Sequence, residues 1–256
     1  MLEARATLTD GASRTGMALS VSSLPWPCYV CSALLCCTAH PTVAALKSAD
    51  KMIRSGERLG CDESGRPPKL EGTTSSMVFS HIRASSLGKA ALPSEENSHP
   101  FVFSSGGHAL SFMHNGNVAR FTSERKARWR ESLPPLLRSQ IVGGTDSEHL
   151  GAVVFSTFLS FLDSGGVDGE AGSGGGDRDD HLASSLVSAV ETVLGSIAAE
   201  DQAAESFSSV NLAASLGDSV LVVARFRSGK EDPPSLYAHT GAKVCSWHSC
   251  AKLGAQ

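Results

Sequence analysis

The stretch FVFSSGGHALSFMHNGN, residues 101–117, decides how the chain is expected to fold. Its two apolar runs, 101–103 and 108–113, are typical of strands, and the Ser- and Gly-rich residues 104–107 between them form a turn by composition. A β-hairpin is therefore predicted. Its second strand runs directly into His114-Asn115-Gly116, so polar groups stand where a buried strand ends.

Further elements are predicted on both sides of this hairpin. Residues 77–82 read as a buried strand that ends at Arg83, and apolar residues recur at helical spacing over 146–162, where Thr145 or Asp146 can cap the helix. The other predictions are a helix over 41–54, a helical stretch over 118–138 broken near Pro134-Pro135, a helix over 182–199, and strands over 210–213 and 219–226. Central strands, helices in pairs and then strands again indicate an α+β fold.

The two ends and one internal stretch depart from this pattern. Residues 1–40 show little regular periodicity, and we expect them to be disordered or to be a wrongly assigned start of the chain. Residues 41–256 are then predicted to form one domain. Within it, the acidic Gly-rich stretch 163–180 is expected to be a flexible insertion without core residues.

Composition narrows the possible partners and compartments. A net charge of −4 over 256 residues argues against nucleic acid, whose binding proteins usually carry a basic surface. No run reaches the ~18–20 apolar residues of a membrane span, and Pro25 and Pro27 interrupt the faintly signal-like stretch 17–38. Seven cysteines in a chain too large to need disulfides favour a reducing, cytoplasmic location.

Four polar residues in the middle of the chain have the chemistry needed to bind and hydrolyse a side-chain amide. Arg83 offers a bidentate fork for a carboxylate, and Asp146 at a helix start is a fixed acid for an ammonium group. Asn115 and Gly116 place an amide next to a small residue, which suits an oxyanion hole. Taken singly, each has a plainer interpretation as a surface ion pair, a helix cap or a turn, and it is their order that favours a site.

The motifs around these residues resemble those of the class II, N-terminal-nucleophile glutamine amidotransferases. They look most like the single-domain group that includes glutathione-degrading and ergothioneine-pathway hydrolases. The resemblance covers residues 77–162 well and 206–237 moderately, and it implies a four-layer αββα sandwich, incomplete here at the N-terminus. The segments that carry it are His81-Ile82-Arg83-Ala84-Ser85-Ser86, Asn97-Ser98-His99-Pro100, His114-Asn115-Gly116 and Thr145-Asp146-Ser147-Glu148.

The resemblance also implies a role for each residue. Arg83, with Ser86 in the place of the family's hydroxyl residue, would bind the substrate carboxylate, and Asp146 would bind its amine. Asn115 and Gly116 would stabilise the oxyanion. The implied reaction is cleavage of a γ-glutamyl amide, in glutamine or a γ-glutamyl peptide such as glutathione, through a cysteine thioester and without a cofactor. The chain has no room for an ammonia-using domain, so hydrolysis of a γ-glutamyl peptide together with a peptidase partner subunit is favoured.

One departure from the family leaves the enzymatic role open. The family begins Met-Cys, and the cysteine attacks while its own α-amine acts as base, whereas Leu2 follows Met1 here. The family's Gly-rich, aromatic early segment is missing too. Either the start of the chain is wrongly assigned, or the protein is an inactive member that serves as a ligand-binding or scaffold subunit.

Some cysteine and histidine residues could bind a metal instead. Zinc could bind the cysteines between 28 and 37, or Cys245, His248 and Cys250, but neither set has paired Cys-x2-Cys spacing. His81, His99 and His114 could form a metal triad or be structural histidines beside the pocket, and the second interpretation is favoured. We therefore expect no metal.

Overall fold

The computed structural model describes residues 2–8, 15–18, 29–37, 43–48, 77–85, 94–164, 175–217 and 219–234. In these residues a run of strands is followed by a run of helices and then by two more strands, as expected for an α+β fold. The elements are β1 (Leu2–Leu8), β2 (Thr15–Ala18), β3 (Tyr29–Cys37), β4 (Val43–Ser48), β5 (Met77–Ser85), a 3-10 turn (Glu95–Asn97), β6 (Phe101–Ser105), β7 (His108–Asn117), α1 (Ser123–Ser132), α2 (Pro135–Gln140), α3 (Asp146–Ser164), α4 (Gly175–Ala203), β8 (Ser209–Leu216) and β9 (Val220–Arg227).

An antiparallel five-stranded sheet contains the predicted hairpin and the strands predicted over 210–213 and 219–226. Its strand order is β1-β9-β8-β7-β6, and β1 pairs with β9 along its whole length, from Leu2 opposite Phe226 to Leu8 opposite Val220. Strands β6 and β7 turn at Gly106 and Gly107, which have φ angles of 59° and 76°. The sequence prediction of these strands is confirmed, and β7 extends through the polar triplet to Asn117.

A second sheet, ordered β2-β5-β3-β4, contains the strand predicted to end at Arg83. Here β2 runs parallel to β5 and β3 runs antiparallel to both β5 and β4. The helix predicted over 41–54 is wrong, because Val43–Ser48 is strand β4. Four apolar residues at roughly helical spacing are a weak signal, and pairing with β3 overrides it.

Three strands also lie within residues 1–40, where the sequence shows little periodicity. Of these, β1 completes the edge of the five-stranded sheet. The division into an atypical segment 1–40 and a domain 41–256 remains a prediction.

The helices pack on the five-stranded sheet and form the core with it. Helix α3 lies against β6 and β7, and α4 lies against β1 and β9. Gly151 lets α3 approach the sheet closely, since a Cβ there would be 2.8 Å from the Phe112 ring. Phe103, Phe155 and Phe158 are buried in the same core.

The helices agree with the sequence predictions except at the starts of α1 and α4. Residues 118–122 of the helical stretch predicted over 118–138 are not helical, because α1 begins at Ser123. The break at Pro134-Pro135 separates α1 from α2 as predicted, because a proline ring cannot continue a helix past its first turn. Helix α4 begins at Gly175, so residues 175–180 are helical and the insertion predicted over 163–180 is wrong for that part.

The apolar character of α4 also bears on the membrane prediction. Over Arg178–Ala203 this helix is long and apolar enough to cross a bilayer by length and composition, contrary to the expectation from the sequence. Half of its apolar window is buried within the fold. A core helix of a globular domain meets the same two criteria.

Candidate functional site

Asn115 and Gly116 lie side by side at the end of β7. Asn115 is half-buried and stands opposite Asn211 of β8, while Gly116 is exposed. Gly116 has a φ angle of 132°, and a Cβ at this position would lie 1.9 Å from the carbonyl oxygen of Ser209. Only glycine fits there, because the Ser209 carbonyl of β8 occupies the place of a side chain.

Asp146 lies at the start of α3 and is connected to the end of β7. Its Oδ2 accepts a hydrogen bond from the Val118 N–H at 2.8 Å, and its Oδ1 accepts one from the Ser147 N–H at 2.9 Å. The side chain that caps α3 is that of Thr145, whose Oγ1 accepts from the Glu148 N–H at 3.1 Å. Asp146 is half-buried, so its carboxylate joins the two elements and remains accessible.

The loop leading to Asp146 is fixed by two residues of the motifs. Glu148 Oε1 accepts from the N–H groups of Val142 and Gly143 at 2.8 and 3.1 Å, and Asn97 Oδ1 accepts from the Gly144 N–H at 2.9 Å. Sequence reasoning gave Glu148 no role. The Thr-x-x-Glu spacing of a capping box was the available signal, although this carboxylate binds the loop rather than the cap residue itself.

Three buried histidines connect β5, β7 and α3 behind the site. His114 Nδ1 lies 2.9 Å from Ser147 Oγ, and His81 Nε2 donates to the His114 carbonyl oxygen at 3.2 Å. The rings of His81 and His99 are 3.9 Å apart between centroids, and His99 also packs edge-on against Phe101. These contacts are typical of histidines that link structural elements.

No cluster of three or more histidine, cysteine or acidic side chains is arranged to hold a metal within the described part of the chain. The triad alternative for His81, His99 and His114 therefore has no support. The side chains of the cysteines between 28 and 37 lie outside the described residues, as do Cys245, His248 and Cys250.

The other two predicted residues are placed less fully. Arg83 belongs to β5, two residues beyond His81, and its backbone pairs with that of Cys31 in β3. Its side chain and the whole of Ser86 lie outside the described residues. The structure thus brings Asn115, Gly116 and Asp146 together and sets the Arg83 backbone on the strand whose His81 contacts β7.

A neutral histidine lies one turn into α3. Burial is the main cause that lowers the pKa of His149 from 6.5 to about 4. The nearby charges of Lys126 and Arg130 act in the same direction, while a hydrogen bond to the Thr145 carbonyl and the charge of Asp146 oppose the shift. Nδ1 is 2.8 Å from the Thr145 oxygen, and a carbonyl only accepts, so Nδ1 carries the proton. This histidine braces the first turn of α3.

Comparison with known proteins identifies the segment that contains the site. The family "Glutamine amidotransferases class-II" matches residues 69–171. The "Probable glutamine amidotransferase DUG3" of Saccharomyces cerevisiae is 39% identical over 98 residues, which are 38% of this chain and 24% of that protein. The chain thus matches about a quarter of the length of this curated relative.

Two solved structures are similar to the chain at low identity. A glutamine aminotransferase class-II domain protein from Silicibacter pomeroyi gives a TM-score of 0.39 at 16% identity, covering 75% of this chain and 79% of that one. A predicted glutamine amidotransferase from Pseudomonas aeruginosa gives 0.39 at 14% identity, covering 89% and 87%.

Proposed function

Because residues 69–171 match the class II glutamine amidotransferase family, we propose that this chain binds the glutamyl end of a γ-glutamyl amide where β5, β7 and α3 meet. The observation that carries the proposal is the hydrogen bond from the Val118 N–H to Asp146 Oδ2. This bond ties an accessible acid to the residue two positions after the exposed Gly116.

Asp146 binds the substrate ammonium in this proposal. An ionised carboxylate has about four acceptor positions, and Asp146 gives one on each oxygen to a backbone N–H. The Ser147 hydroxyl is a further, weak donor to Oδ1 at 3.5 Å, so Oδ2 offers the position for a charge-assisted hydrogen bond, which is stronger than a neutral one. The two backbone donors fix the direction of the carboxylate before the substrate arrives.

Asn115 and Gly116 supply the oxyanion hole. The side-chain amide of Asn115 and the Gly116 N–H are donors of the kind that stabilise the tetrahedral intermediate of acyl transfer, and one such donor is worth roughly 10²–10³-fold in kcat. Gly116 has no side chain to block the approach of a carbonyl oxygen. Neighbouring positions on one strand end give the two donors a common support.

Arg83 and Ser86 complete the glutamyl pocket by binding the α-carboxylate. A guanidinium group matches the geometry of a carboxylate with two parallel hydrogen bonds. The substrate is glutamine or a γ-glutamyl peptide such as glutathione. A cysteine thiolate attacks the γ-carbonyl, the amine leaves with a proton, and water then releases glutamate from the thioester.

The remaining parts of the proposal follow the family. The fold is the four-layer αββα sandwich of N-terminal-nucleophile hydrolases, and the reaction uses no cofactor. The protein works in the cytoplasm and hydrolyses its small substrate with a peptidase partner subunit. These features are supported by the family match and not by any described contact.

Calorimetric titration with L-glutamine and with S-methylglutathione tests the pocket. Asp146→Asn removes the charge but keeps an oxygen for the Val118 N–H, and we expect it to weaken binding at least about tenfold, since a charge-assisted hydrogen bond contributes about 1.5–3 kcal/mol. Arg83→Ala should do the same. Asp163→Asn, an exposed aspartate at the other end of α3, is the matched control.

Calorimetry tests the pocket, and a second measurement separates a hydrolase from a ligand-binding subunit. Unchanged glutamine binding in both Asp146→Asn and Arg83→Ala would refute the pocket. Mass spectrometry of the N-terminal peptide of the native protein then decides between turnover and binding alone. A mature N-terminal cysteine with glutamate release supports the hydrolase, and binding without glutamate release supports a ligand-binding subunit.

A further inference from the structure

The turn that leaves the oxyanion strand, residues 117–120, is held by hydrogen bonds from three directions. The Val118 N–H donates to Asp146, and the Ala119 N–H donates to Ser208 Oγ at 2.9 Å. The Ala119 carbonyl accepts from the guanidinium of Arg125. Arg120 has a φ of 49°, a left-handed conformation that needs such support in a non-glycine residue.

Ser208 is itself fixed by a buried acid. Its N–H is shared between Asp201 Oδ2 at 2.8 Å and Ser228 Oγ at 2.7 Å, and Ser228 Oγ donates to the same carboxylate oxygen at 2.6 Å. Arg125 lies 3.8 Å from Asp201 Oδ1. Ser208, Ser228 and Asp201 are all buried. A buried carboxylate with this many partners has little freedom to move.

Ser208 also reaches the other side of the turn through the next residue. Ser209 pairs with Asn117 in the β7–β8 ladder, and its carbonyl oxygen lies against the Cα of Gly116. The dipeptide 208–209 therefore contacts the chain before and after Val118. A shift of Ser208 would be passed on to the peptide groups of both Gly116 and Ala119.

We propose that Ser208 is a positioning residue of the oxyanion hole. Asp201 and Ser228 fix Ser208, and the Ser208 hydroxyl accepts the Ala119 N–H. Ser208 thereby holds the 117–120 turn, and with it the Gly116 N–H and the Asn115 amide, in position to act as oxyanion donors. Ser208 acts through the backbone and does not touch the substrate. The inference rests on the proposed role of Asn115 and Gly116.

The test compares two buried serines on one carboxylate. Ser208→Ala removes the acceptor for the Ala119 N–H, whereas Ser228→Ala perturbs the same Asp201 network without touching the turn. Ser208→Thr retains the hydroxyl and serves as the rescue variant. Ser208→Cys replaces Ser208→Ala if the alanine variant does not fold, since a thiol is a weak acceptor of similar size.

Two ligands separate the oxyanion hole from the rest of the pocket. L-Glutamine reports ground-state binding, and L-2-amino-4-phosphonobutanoate places a tetrahedral anion where the oxyanion forms. We expect Ser208→Ala to weaken the phosphonate about tenfold relative to glutamine, the equivalent of one well-placed hydrogen bond. Ser228→Ala should change the ratio of the two dissociation constants much less, because Asp201 still accepts the Ser208 N–H, and Ser208→Thr should restore the wild-type ratio.

The outcomes distinguish the positioning role of Ser208 from the proposed function of the chain. An unchanged ratio in Ser208→Ala, in a wild-type protein that binds both ligands, overturns the positioning role alone. Equal changes in Ser208→Ala and Ser228→Ala also overturn it, because they would reflect general loosening. A wild-type protein that binds neither ligand refutes the proposed function, and the positioning role is refuted with it.

Discussion

Replacing Gly116 by alanine should destabilise the fold more than the same change at another glycine with a positive φ. The added Cβ would lie 1.9 Å from the Ser209 carbonyl oxygen, so strand β8 must move by roughly 1.5 Å to restore a normal contact. Overpacking of this kind costs about 1–3 kcal/mol. An alanine held at positive φ costs roughly a further 1–2 kcal/mol, and together they predict a loss of about 2–5 kcal/mol.

Gly107 provides the matched control for the backbone contribution. It has a φ of 76° in the β6–β7 hairpin, and a Cβ there would meet nothing within 4 Å. Gly107→Ala should therefore cost only the roughly 1–2 kcal/mol of a left-handed alanine. Urea unfolding of both variants gives the difference. Equal free energies of unfolding would show that β8 does not approach Gly116 as described, and the explanation for this glycine would fail.

Two further predictions concern the first turn of α3. Thr145→Ala should lower the free energy of unfolding by about 1 kcal/mol, because it removes a buried N-cap, and Thr122→Ala, at the exposed cap of α1, should cost less; urea midpoints in the opposite order would contradict this. His149 has its pKa lowered from 6.5 to about 4, so the unfolded chain takes up the proton first as the pH falls. The contribution of neutral His149 to the free energy of unfolding is therefore complete above pH 6.5 and is lost progressively between pH 6.5 and 4. Unfolding of His149→Gln should depend less on pH in that window, whereas the exposed-site variant His181→Gln should follow the wild type, and parallel curves for all three proteins would refute the assignment.

Local patterns predicted the elements that build the site. The alternation in residues 101–117 identified both strands of the first hairpin, and the apolar spacing after Thr145 identified α3 and its cap. Both signals arise within a few residues of the chain, where propensity and burial agree. The helix predicted over 41–54 failed because Val43–Ser48 pairs with β3, a strand that the sequence pattern did not predict.

The sequence predicted which residues form the candidate site but not the hydrogen bonds that hold them in place. Asp146 was assigned to a ligand, yet its carboxylate also joins α3 to the residue after β7, and no spacing reveals a bond between residues 28 positions apart. Ser208 gave no signal at all, because a single serine before a strand is common in any loop. Its importance depends on Asp201 and Ala119, which only the folded chain brings together.

The pairing of β1 with β9 has a consequence for how the chain is made. The motif strands and α3 lie within residues 77–164, so their contacts can form while synthesis continues, but β1 must wait until β9 emerges more than two hundred residues later. Pairings this distant in sequence are slow to form and leave an open strand edge exposed in the meantime. Nascent chains of this protein should therefore be most prone to associate with one another just before β9 leaves the ribosome.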